Sequence, residues 1–181
     1  DLLPEGLINV VVGGGGRIGD CLTSHPGINK VSFTGSTGVG RNIGGTTGKN
    51  LVPCTLELGG KSASIIFEDA NLERALQKTV AGILSSAGEV CVANSRVLVQ
   101  EAVYDKFLEM LREKFAGAVV GDPLLPETQI GPVIDQRQLE RVLEYIEIGK
   151  EEGAALVCGG GRCTDKGCEK GFYVEPTLFG D

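Results

Sequence analysis

Cys91 sits in the stretch "EVCVANSRVLVQ", at the entrance to an apolar strand, in a chain with a single histidine. A cysteine there is either one more small core residue or a nucleophile, and a nucleophilic thiol needs a neighbour that favours the thiolate. His25 is a poor partner. It precedes Pro26 in "TSHPGINK", which reads as a turn with no chemistry of its own. A carboxylate is the other common base, and "LELGGKS" supplies Glu57 between Leu56 and Leu58, just before two glycines. A carboxylate in apolar surroundings is a better base than one in water. The competing reading makes Glu57 a surface residue at a strand end.

Three glycine-rich stretches invite a phosphate. Gly14, Gly16 and Gly19 have the spacing of a dinucleotide fingerprint, but no acidic residue closes a strand about twenty positions later. "GGKS" at 59–62 imitates the end of a P-loop, and fails because the required first glycine falls on Thr55. "FTGSTGVG" is the stronger signal: a strand ends at Thr34, Gly35 and Gly38 relax the backbone, and the Ser36 hydroxyl and helix amides point towards an anion. A pyrophosphate suits that arrangement, and so does a plain tight turn.

The elements that must hold these residues read as α/β. "LINVVV" (Leu7 to Val12) is a continuous apolar, β-branched run, predicting a strand buried on both faces. A short helix around Gly19 to Ser24 follows, then a strand at Lys30 to Gly35 and a turn opening into a helix. "SASIIF" (Ser62 to Phe67) is another strand, with Asp69 as N-cap of a helix that runs out near Gly88. That helix carries Leu72, Ala75, Leu76, Thr79, Val80, Ile83 and Leu84 on one stripe. "SRVLVQ" is a strand, and helices follow with apolar faces at Phe107, Leu111 and Phe115 and at Leu139, Val142, Leu143 and Ile146. "AALVCGG" and "FYVEPTLF" read as closing strands. Strands alternating with helices predict a parallel sheet.

Composition narrows the partners. The net charge of −7 over 181 residues leaves no clustered basic face for nucleic acid. The longest apolar runs are strand-sized, so neither a membrane span nor an export signal is expected, and the chain reads as cytoplasmic. Six cysteines without a CxxC pair, and one histidine, argue against a bound metal and make reduced thiols the expected state.

Taken in order, "FTGSTGVG", "LELGGKS", "GEVCVANSRVLVQ", "GDPLLPETQIGPVID" and "GFYVEPTLF" resemble the NAD(P)-dependent aldehyde dehydrogenase family, and the likeness runs through essentially the whole chain. The resemblance implies a Rossmann-like segment over residues 1–59, the last part of a cofactor domain. Residues 60–181 would be the first part of an α/β catalytic domain. It implies that Cys91 is the nucleophile, with its backbone N–H as half of an oxyanion hole, and that Glu57 is the general base. NAD, with NADP as the alternative, would lie on Gly35, Ser36, Val39 and Gly40, with the Leu58 carbonyl at the nicotinamide amide. An aldehyde is the implied substrate, no metal is needed, and a homo-oligomer is the implied assembly. Because Glu57 is present, hydrolysis to the acid is implied over transfer to coenzyme A.

Two departures from the family pattern carry consequences. The likeness is to a central slice of a longer chain, which implies exposed strand edges, weak cofactor affinity and association. The alternative to a dehydrogenase is therefore an association module or a cofactor-free thiol esterase. Glu89 also stands where the family commonly carries glutamine, and a carboxylate turned inward there would disfavour the thiolate. Cys54, close to Glu57 in sequence, is expected to have a packing role.

Overall fold

A computed structural model describes residues 2–165 and 167–181. The chain divides into two compact units, Asp1–Gly59 and Gly60–Asp181.

In the first unit, helix α1 (Gly15–Ser24) is followed by strand β1 (Val31–Gly35), helix α2 (Thr37–Lys49) and strand β2 (Cys54–Leu58). The two strands pair in parallel, from Val31 opposite Cys54 to Gly35 opposite Leu58, with α2 as the crossover. Parallel neighbours require such a crossover, because a tight hairpin can only reverse the chain. Leu56 and Leu58 turn towards α2, where a Cβ at Gly44 would meet Leu56 and one at Gly40 would meet Leu58.

The strand expected at Leu7 to Val12 does not form. Those residues take no regular secondary structure, and Val10 and Val12 are 83% and 87% exposed. Their apolar, β-branched composition suits a strand, but a strand also needs a neighbour to bond its amides and carbonyls. Among the described residues this segment has none in a ladder. Helix α1 begins at Gly15, four residues earlier than expected, with Gly14 as a cap that offers no side-chain bond.

The second unit opens with β3 (Ala63–Ile66), α3 (Leu72–Leu84) and β4 (Arg96–Val99), again a parallel pair joined across a helix. Helices α4 (Tyr104–Ala116) and α5 (Gln136–Glu151) follow, then an antiparallel pair of β5 (Ala155–Cys158) and β6 (Leu178–Gly180). Ile66, Leu72, Leu76, Phe107, Leu111 and Phe115 form the core, where α3 and α4 cover one face of β3 and β4. A fully buried side chain of this kind contributes about 1.5–3 kcal/mol. Period-2 alternation leaves the other face uncovered, with Ile65 and its register partner Leu98 exposed.

The α/β class and the parallel pairs follow the sequence pattern. Two further local expectations do not. The N-cap of α3 is Asn71, whose Oδ1 accepts from the Arg74 amide at 2.9 Å, and Asp69 lies outside the helix. "FYVEPTLF" contributes a strand only at Leu178–Gly180: Val174 forms an isolated bridge with Arg162, and Pro176 has no N–H to extend the ladder. No helix among the described residues is long and apolar enough to cross a membrane.

Candidate active site

The candidate residues fall into one group in each unit. In the first, Gly35 and Leu58 are register partners at the carboxyl ends of parallel strands, the edge where open α/β sheets receive ligands. Ser36 follows at once as N-cap of α2, its Oγ accepting from the Val39 amide at 3.4 Å. The first amides of a helix have no intrahelical acceptor. With Val39 capped by Ser36 and Gly40 bonded to the Ser36 carbonyl at 2.9 Å, the Thr37 and Gly38 amides are available to an external anion. A Cβ at Gly38 would meet nothing within 4 Å, so the approach is open. Val39 is 47% exposed beside it. The group suits a phosphate held by backbone amides at a helix start.

Gly40 brings α2 close to β2. It is buried, and a Cβ there would stand 2.5 Å from Leu58 Cδ2. Thus Gly35, Ser36, Val39, Gly40 and Leu58 converge at one end of the first unit.

Glu57 departs from expectation. Its flanking leucines face α2, so alternation turns Glu57 to the opposite face, where it is exposed. The apolar surroundings expected from "LEL" are therefore not supplied within this unit. Cys54 is exposed too, which removes the packing role read for it.

In the second unit, Cys91 is exposed on a turn between α3 and β4. Its approach is unusual: Ser86 and Ala87 have φ of 50° and 54°, and Gly88 has φ of 78°. Left-handed backbone is strained for residues with a Cβ, by on the order of 1–3 kcal/mol each, and such strain clusters at working sites. Among the described residues no backbone carbonyl accepts from the Cys91 amide. Glu89 is exposed, its amide bonded to the Ser86 carbonyl at 3.0 Å.

Hydrogen bonds from Ala93, Asn94 and Arg96 fix the turn. Ala93 N–H donates to Val90 at 3.0 Å, and a Cβ at Gly60 would stand 3.3 Å from the Cys91 carbonyl. Asn94 N–H donates to the Gly82 carbonyl on α3 at 3.3 Å, and its Nδ2 donates to Ser64 Oγ at 3.5 Å. Arg96 fastens the start of β3 by donating from Nε and Nη2 to the Lys61 carbonyl at 3.1 and 2.9 Å. Asn94 and the left-handed pair are absent from the sequence reading. A polar residue between the cysteine and an apolar strand was the available signal for Asn94; nothing in "SSAG" marks the backbone.

The Aldehyde dehydrogenase family model matches residues 2–181. A betaine aldehyde dehydrogenase of Vibrio vulnificus (strain CMCP6) is 47% identical over 99% of this chain, which covers 37% of that protein. Among solved structures, HpcC from Thermus thermophilus superposes with a TM-score of 0.94 at 41% identity, over 99% of this chain and 36% of that one. A betaine aldehyde dehydrogenase from Staphylococcus aureus, in complex with NAD+, gives 0.93 at 35% identity, over 98% and 35%. The chain thus spans a little over one third of the length of these relatives.

Proposed function

The chain belongs to the aldehyde dehydrogenase family, and from that premise we propose that it carries the chemical centre of an NAD(P)-dependent enzyme oxidising an aldehyde to a carboxylic acid. The observation that carries this reading is Cys91, exposed on a turn entered through two strained non-glycine residues. Strain of that kind persists where the surrounding structure holds a functional geometry.

In this reading Cys91 Sγ attacks the aldehyde carbon. A C–S bond forms, the carbonyl π pair moves to oxygen, and the Cys91 amide stabilises the resulting charge. A nicotinamide cofactor, when bound, supplies the hydride acceptor. Cys91 then carries the acyl group as a thioester, and Glu57 removes a proton from the water that displaces it. The carboxylic acid leaves and the thiolate is restored. The Thr37 and Gly38 amides and the Ser36 hydroxyl would hold the cofactor's pyrophosphate, Val39 would face its adenine, and the Leu58 carbonyl would accept from its nicotinamide amide. Gly35 and Gly40 keep backbone close enough for this.

Residues 1–59 are then the closing part of a cofactor domain and 60–181 the opening part of a catalytic domain. The working assembly is a cytoplasmic homo-oligomer, a reading supported by the free cysteines and by exposed apolar side chains at Leu7, Val12, Ile65 and Leu98. The same apolar surface supports a second reading, in which this slice is an association module or an esterase that uses Cys91 without cofactor.

Trapping the acyl group separates the two. In the Glu57→Gln protein, an aldehyde with NAD is expected to add an acyl mass to the peptide containing Cys91, dependent on NAD. Acylation by an activated ester alone, with none from aldehyde and NAD, supports the esterase. No adduct under either condition removes the covalent mechanism.

A further inference from the structure

Two cysteines that the proposed chemistry does not use lie across one loop. Cys168 is fully buried and Cys163 half-buried, and both border Val120: the Cys168 thiol donates to its carbonyl and Cys163 lines a hollow with it. The loop is already closed by its backbone: Cys163 N–H donates to the Tyr173 carbonyl at 3.0 Å, Cys168 N–H to Asp165 at 3.0 Å and Gly171 N–H to Cys168 at 3.2 Å. Arg162 Nη2 straps it further, donating to the Glu169 and Gly171 carbonyls at 3.3 and 3.0 Å. Cys163 also lines a solvent-open hollow with Val120, Cys158, Asp165 and Glu175, whereas Cys168 points inward, its Sγ 3.9 Å from the Val120 carbonyl.

We propose that Cys163 and Cys168 are a modification site, an oxidisable dithiol that a hydroperoxide closes into a disulfide across this loop. The accessible thiol reacts first. Cys163 Sγ attacks hydrogen peroxide: an S–O bond forms, the O–O bond breaks, and the departing hydroxide takes the thiol proton as water. Cys163 is oxidised to a sulfenic acid and the peroxide is reduced. Cys168 Sγ then attacks the Cys163 sulfur: the S–S bond forms, the S–O bond breaks, and the hydroxyl leaves as water with the Cys168 proton. The sum is two thiols and one peroxide giving one disulfide and two waters. Burial, followed by the neighbouring Cys163 thiol, pushes the Cys168 thiol up to about 11, which keeps it protonated at neutral pH and leaves the accessible Cys163 as the entry point.

The sequence provides a clean readout. Trypsin cuts after Arg162, Lys166 and Lys170, so the two thiols fall on separate peptides, "CTDK" and "GCEK". The folded chain is treated with hydrogen peroxide, free thiols are blocked, and the protein is digested and mapped by mass spectrometry. The expected product is CTDK joined to GCEK, two hydrogens lighter than the separate peptides and forming at least about tenfold faster than in urea-unfolded chain, as held proximity requires. In Cys168→Ser, Cys163 is expected to remain as a sulfenic acid that dimedone traps. Recovery of both peptides with separately blocked thiols, at a peroxide dose that oxidises exposed Cys91, would overturn the proposal. So would linkage to other cysteines in preference, or equal rates in folded and unfolded chain.

Discussion

Asn94 fills the space that Gly82 leaves on α3: a Cβ at Gly82 would stand 2.7 Å from Asn94 Oδ1. Asn94 lies three residues beyond Cys91, and its bond to the Gly82 carbonyl ties the turn to a helix that packs into the core. Gly82→Ala is expected to push the Asn94 side chain aside while leaving α3 intact, since alanine is the better helix former. The expected result is a thiol-dependent rate lowered roughly tenfold to a hundredfold with little change in unfolding midpoint. Equal loss of stability and activity would show that the contact serves only the fold.

Gly40 and Leu58 are a second such pair, joining α2 to β2. Gly40→Val places a branched side chain against Leu58 and is expected to cost about 1–3 kcal/mol by urea unfolding. Leu58→Ala in the same chain makes room, so the double variant should be more stable than the sum of single losses. Strict additivity would deny the contact.

The helix caps differ in geometry and so in expected effect. Asn71 and Asp135 accept from amides at 2.9 and 2.8 Å, whereas Ser36 accepts at 3.4 Å. Replacing Asn71 or Asp135 with alanine is expected to cost about 1 kcal/mol, and Ser36→Ala less than that. Isothermal urea titrations compare the three. If Ser36→Ala has little effect on stability yet weakens NAD binding, the hydroxyl serves an anion more than the helix.

Cys168 gives a pH dependence with a definite sign. Its folded thiol is pushed up to about 11 from an ordinary 9.0, first by burial, so the folded state holds that proton more tightly than the unfolded chain. Stability from this group is complete below the unfolded value and is lost as pH rises from about 9 towards 11. Tyr173, also pushed up first by burial, adds to the loss at the upper end. The urea midpoint should fall over this range, and more gently in Cys168→Ala. An unchanged slope in the variant would contradict the assignment.

What the sequence discloses divides along physical lines. Apolar periodicity located α3 to α5, and apolar runs located β1, β3, β4 and β5, because burial of one face sets both the pattern and the structure; β2 was not singled out. The same logic failed at Leu7–Val12, where composition suits a strand and no strand among the described residues bonds it. Asp69 and Asn71 are equivalent cap residues on paper; packing of Leu72 at 9% exposure sets where α3 begins. The turn at Gly35 and Ser36 was readable because a strand end and a helix start are local, whereas Gly40 and Leu58 came only with the family resemblance, since β2 lies beyond the α2 crossover. The left-handed Ser86 and Ala87 were not readable, since neither residue type favours that backbone and the fold must impose it.

The central claim is that Cys91 and Glu57 carry aldehyde oxidation. Absorbance at 340 nm tests it with wild-type, Cys91→Ala and Glu57→Gln chains, aliphatic and aromatic aldehydes, and NAD or NADP in excess. The account predicts reduced cofactor from the wild type, none from Cys91→Ala, and at most a single turnover from Glu57→Gln. Undiminished turnover by Cys91→Ala, or no reduced cofactor from folded wild-type chain with any aldehyde, would contradict it.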